Sequence, residues 1–149
     1  MLESVSILYN LRTDFMEKYM DLSCIKAIEI VMDTLDEPDE SVVAKKHNVD
    51  VEAVKFLSNH PVIALAARES IYLDPWADPR ARLSEDEAMR LYELDKEYGI
   101  ADIATIFFLC KQYDVDILEA LRYGKKLYEE RRQARDERTR SRSEEQSYK

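Results

Sequence analysis

The stretch Val43-Ala44-Lys45-Lys46-His47-Asn48-Val49-Asp50-Val51-Glu52-Ala53-Val54-Lys55-Phe56-Leu57 places apolar residues at helical spacing on both sides of Asn48. Ala44 is small where two helices must approach closely. Four residues on, Asn48 is one of the few non-glycine residues that tolerate a positive φ. Val49 then plugs the corner, and Val54 and Leu57 anchor the second helix. The pattern predicts short helices over 41–47 and 51–58 joined by a tight turn.

Outward from this corner the chain repeats the helical pattern. Leu8, Leu11, Phe15 and Tyr19 mark a first helix, and Cys24, Ile28, Val31 and Leu35 mark a second that Asp21 or Ser23 can cap. Glu37-Pro38 stops it, and Asp39 caps the next. Pro61 suits the first turn of a helix reaching about Tyr72. Two Asp-Pro pairs between Leu73 and Arg80 read as a boundary, with Trp76 pinning it to the core. Ser84 and Glu87 have capping-box spacing, and Gly99 ends that helix with a left-handed cap. Ile103, Ile106, Phe107 and Cys110 line another helix, and Asp116 caps a last one from Ile117. Gly124 inside it either admits another backbone or marks its end. Beyond Tyr128 there is no apolar stripe. Arg132, Asp136 and Arg140, four apart, can extend a solvated helix, with the last ten residues disordered. The expected organisation is a helical region 1–73 with the corner unit at about 39–60, a linker 74–83, a second helical region 84–128 and a charged tail 129–149.

Composition agrees. Only 2 Gly and 4 Pro occur in 149 residues, too few for the turns of a sandwich or barrel, and 46% of residues are hydrophobic. The fold class is therefore all-α: a multi-helix bundle with a polar, charged C-terminal helix or tail. No stretch approaches the roughly 18 apolar residues of a membrane span, and Met1 to Asn10 lacks the pattern of a secretory signal. Cys24 and Cys110 sit apart on apolar faces and read as buried free thiols, which suits a cytoplasmic protein. The net charge of −9 is unevenly spread. Residues 1–110 carry 11 basic and 22 acidic side chains, whereas residues 111–149 carry 11 and 9.

The corner at 43–57 resembles the helix-turn-helix superfamily at nearly every spacing-critical position. His47 departs from the pattern, standing where an apolar residue is usual. Asp50 and Glu52 put acid at the start of the would-be recognition helix. A second, looser copy follows: Leu109-Cys110-Lys111-Gln112-Tyr113-Asp114-Val115 matches Val43 to Val49, and after one extra residue Glu119 to Tyr123 matches Glu52 to Phe56. The run Val54 to Val62 is similar to some phage small terminase subunits. That resemblance covers roughly 39–72 and implies a ring-forming helical pair and a C-terminal partner segment in 84–149.

Catalytic signals are absent: His47 and His60 are the only histidines, and two glycines cannot make a phosphate loop. The expectation is a non-enzyme without metal or cofactor, a DNA-associated helix-turn-helix protein of regulatory or DNA-packaging type. Lys45, Lys46 and Lys55 would touch phosphates, and Glu52 and Asn59 would meet bases. Arg122, Lys125 and Lys126 would serve the second copy, and Arg131 and Arg132 would begin a basic arm. Double-stranded DNA, a protein partner at the C-terminal segment and a homo-oligomer are the expected partners, with no membrane. The alternative is an acidic helical adaptor that binds a protein and does not contact DNA.

Overall fold

The computed structural model describes residues 22–73 and 77–147, with side chains described as far as Arg142. All the regular structure among these residues is helical, as the composition requires. The helices are α1 Cys24–Asp36, α2 Glu40–His47, α3 Val51–Asn59, α4 Pro61–Ile71, α5 Glu85–Tyr98, α6 Ile103–Gln112 and α7 Ile117–Ser147. Short 3-10 turns occupy Pro79–Ala81 and Gly99–Asp102. The helix expected over Leu8 to Tyr19, and Trp76, lie outside the described residues.

Every helix but α6 starts where a side-chain oxygen or nitrogen accepts one of the N–H groups that the first turn leaves without an intrahelical partner; α6 instead continues from the 3-10 turn at Gly99–Asp102. Ser23 caps α1 through Lys26 N–H at 3.1 Å, Asp39 caps α2 through Ser41 N–H at 3.0 Å, and Asp50 caps α3 through Ala53 N–H at 3.1 Å. Ser84 and Glu87 form the reciprocal capping box of α5, at 3.1 and 2.9 Å. Asp116 caps α7 through Glu119 N–H at 3.1 Å and also accepts from Ser70 of α4 at 2.9 Å.

Two ends differ from expectation. Gly99 has φ 56° but ψ −142°, a combination open to glycine rather than the left-handed helical cap, and the chain passes directly into a 3-10 turn. Helix α7 also continues to Ser147, through residues expected to be disordered. From Lys125 to Ser147 the sequence has no Gly or Pro and one β-branched residue, Thr139, so nothing breaks the helix. It continues even though Arg132, Asp136 and Arg140 form no ion pair among the described residues.

The buried apolar residues, from Cys24 to Ala67 and from Leu83 to Leu121, form one cluster across the linker. Helix α1 packs on α2, α3, α4 and α7, while α5 and α7 share the most extensive helix pairing. Gly124 stands at that crossing: a methyl group there would collide with the Ala88 carbonyl and with Cβ of Tyr92. The close approach, not the end of a helix, is its role. The start of α1 is tied to the end of α5. Cys24 N–H donates to Asp95 Oδ1 at 2.6 Å, and Ile100 N–H donates to Leu22 O at 3.2 Å. Asp95 is only 2% exposed, and its other oxygen has no partner among the described residues. Cys24 and Cys110 are both buried free thiols. Burial, aided by Asp95, pushes the Cys24 thiol well up, and burial with Asp116 nearby pushes Cys110 up to about 12. No helix among the described residues is long and apolar enough to cross a membrane.

On an exposed helix Gly→Ala stabilises, by up to about 1 kcal/mol. At Gly124 the sign reverses. Gly124→Ala should destabilise by about 2 kcal/mol through overpacking against Ala88, read as a lowered midpoint in thermal or urea unfolding. An unchanged or raised midpoint would remove the crossing. Both thiols should also resist labelling under native conditions and react fully in denaturant, because a buried thiol with a raised pKa presents no thiolate.

Candidate nucleic-acid interface

The corner between α2 and α3 is built without glycine. Asn48 takes φ 55° and ψ 47°, reversing the chain at the end of α2. Its N–H reaches Lys45 O at 3.3 Å, and Val49 N–H reaches Ala44 O at 3.0 Å. These two bonds make a Schellman motif and satisfy carbonyls that the helix end leaves open. Ala44 is 3% exposed, and Val43, Ala53, Val54 and Leu57 are buried with it, so α2 and α3 hold each other through small and branched apolar groups.

His47, the residue out of pattern, is explained by a partner in α1. Its Nε2 lies 2.6 Å from Asp33 Oδ2, and Lys46 Nζ lies 3.1 Å from the same oxygen. Partial burial pushes the Asp33 carboxyl up, but the hydrogen bonds and charges of His47 and Lys46 outweigh it and hold the group below the usual carboxylate range. The corner is thereby stapled to α1, and one of the three lysines proposed for phosphate contact is already engaged. The polar His47 hinted at this pair, but nothing local marked Asp33, 14 residues away, as its partner.

Glu52, Lys55 and Asn59, three and four residues apart, lie on the exposed side of α3, and Lys45 is exposed on the last turn of α2. Lys45 and Lys55 are in no ion pair among the described residues. Asn59 donates one amide N–H to Lys55 O at 2.9 Å, and its amide oxygen is in no hydrogen bond among the described residues.

The second corner repeats the first in backbone detail. Asp114 takes φ 54°, its N–H reaches Lys111 O at 3.1 Å, and Val115 N–H reaches Cys110 O at 3.0 Å. Cys110 occupies the place of Ala44, and Asp116 caps α7 as Asp50 caps α3. The side chains that follow behave differently. Arg122 is held by Glu29 of α1 at 3.0 Å and by Glu119 at 3.4 Å. Arg131 is held by Glu85 at 3.1 Å and Asp86 at 3.7 Å. Lys125 lines a recess of about 620 Å³ shared with His47, Lys26 and Lys96. Lys126 and Arg132 are exposed on α7. Of the ten residues singled out from the sequence, five belong to α2 and α3 and five to α7.

Among the described residues no group of three or more His, Cys, Asp or Glu side chains is placed to hold a metal ion. His60, directly after α3, caps α4: Ile63 N–H donates to its Nδ1 at 3.4 Å, and burial lowers the imidazole pKa. Only the neutral ring can accept that bond. Folding favours the neutral form, so this contribution is complete above the ordinary value of 6.5 and lost as pH falls below it. His60→Asn retains a capping acceptor without titrating. Between pH 7.5 and pH 5, at about the span of imidazole titration, the stability difference should move against the wild type. Parallel unfolding midpoints across that range would remove the capping role.

No family model, curated protein or solved structure matches this chain.

Proposed function

We infer that the chain is a DNA-associated binding protein, not a catalyst, in which α2 and α3 act as a helix-turn-helix and α3 is the element offered to the groove. The observation that carries this reading is the corner itself. A left-handed Asn48, the paired bonds to Ala44 and Lys45, a buried Ala44 and an Asp50 cap set two short helices against each other. They leave Glu52, Lys55 and Asn59 exposed on α3 and Lys45 exposed on the last turn of α2. Lys45 and Lys55 would meet phosphates. The Asn59 amide oxygen can accept from a base-edge amino group, and Glu52 can accept from cytosine. A regulatory or DNA-packaging role is the corresponding biological setting.

The acidic adaptor is the second reading. It is favoured by the capture of Arg122, Arg131 and Lys46 by carboxylates, which withdraws cations from any anionic ligand. It is also favoured by exposed apolar side chains, Phe108 at 61% and Val42 at 51%, which suit contact with a protein.

Fluorescence anisotropy with a labelled duplex at two salt concentrations separates the readings. The DNA reading expects binding that weakens with salt. Lys55→Ala should lower affinity several-fold and reduce the log–log salt slope by about 1, as for one lost phosphate contact. No binding even at low salt would leave the adaptor reading in its place.

A further inference from the structure

From Glu129 to Arg142 helix α7 is exposed at every position, and Ala134 is its only apolar residue. Four of the six arginines in this segment share one face, away from its carboxylates. Arg131, Arg135, Arg138 and Arg142 are spaced four, three and four residues apart, which on an α-helix confines them to an arc of about 60°. Glu129, Glu130, Asp136 and Glu137 all fall on the opposite half of the helix by the same rotation. Arg132 and Arg140 lie off the stripe. Arg131 is engaged with Glu85 and Asp86 at the first turn of α5, so the stripe begins with an anchor to the body. Arg135, Arg138 and Arg142 are exposed and in no ion pair among the described residues.

We propose that Arg135, Arg138 and Arg142 form a one-sided docking strip for the sugar-phosphate backbone of a nucleic-acid duplex. The DNA-associated reading supplies the ligand class; the strip itself rests on the geometry of α7. Three features fit a polyphosphate better than an acidic protein. All six cations between 131 and 142 are arginine, whose planar fork binds phosphate through two parallel hydrogen bonds. A protein interface gains most of its energy from aromatic or aliphatic anchors, and this segment has none larger than Ala134. Phosphate contacts need no apolar anchor, and a duplex presents one charge per roughly 1.7 Å of axis, so Arg135, Arg138 and Arg142, spread over about 10 Å of helix, each find a ligand. The carboxylates on the back of the helix face away from the duplex and fix which side approaches it.

The test uses the full-length chain. R135Q/R138Q/R142Q is compared with the off-stripe pair R132Q/R140Q and with Lys55→Ala, on a duplex of mixed sequence, with circular dichroism to verify equal helix content. The strip variant should bind at least tenfold more weakly at low salt. Its log–log salt slope should flatten by about 2.7, for three lost phosphate contacts, with sequence preference unchanged. The off-stripe pair should change the slope by less than about 1. Equal losses per arginine in the two variants would overturn the strip in favour of diffuse charge. A strip variant that binds duplex normally would overturn it too, and if that variant instead loses self-association, the stripe is a protein contact. A weakened strip variant beside a normal Lys55→Ala would uphold the strip and remove α3 from the interface. A wild type that binds no duplex at any salt would remove both.

Discussion

Two helix pairs must reverse direction sharply in a chain with only two glycines, and neither glycine lies at either corner. Asn48 and Asp114 carry that constraint by entering the left-handed region themselves. For most side chains this conformation costs about 1 kcal/mol or more, and Asn and Asp tolerate it best because their short polar groups bond locally. Each corner offsets the cost with two backbone bonds into the preceding turn and an aspartate that caps the next helix. The packing of α2 on α3 and of α6 on α7 follows from those few residues. The two corners share more in backbone than in side chains: Ala44 and Cys110 fill the same place, but the cations beyond them meet different fates.

Those fates come from long-range electrostatics. Arg122 reaches Glu29, 93 residues earlier in the chain, and Arg131 reaches Glu85, 46 residues earlier. An acidic body draws basic side chains onto itself wherever the fold brings them within reach. Among the cations in no ion pair within the described residues are Lys45 and Lys55 on α2 and α3 and the arginines past Arg131 on α7. Exposed pairs of this kind contribute little stability, about 0–1 kcal/mol each, so their main effect is on which cations stay available.

How much was legible in the sequence follows from the range of each interaction. Caps lie within three residues of what they cap, and Asp39, Ser84, Asp116 and the Asn48 corner were all readable in advance. Gly124 was ambiguous because a helix-interior glycine looks the same whether a neighbour crosses it or the helix ends there; Ala88, 36 positions away, decides it. Asp95 gave no signal. Within α5 it reads as one more charged residue, yet it lies buried against the first amide of α1. Its place depends on how α1 and α5 meet, which no local pattern encodes. The candidate contact residues were legible as exposed positions on named helices, but not as free or captured charges.

Helix α7 belongs to both halves of this division. Leu118, Ala120, Leu121 and Gly124 are sealed in the interior, and the same unbroken rod leaves the body with no proline or glycine after Gly124 to act as a joint. The projecting segment is therefore a lever rather than a tether. A torque applied near Arg142 would meet α5 first where Arg131 is held by Glu85 and Asp86, and then at the crossing where Gly124 rests on Ala88. A load on the arm cannot be shed by bending a linker, so the core registers it mechanically.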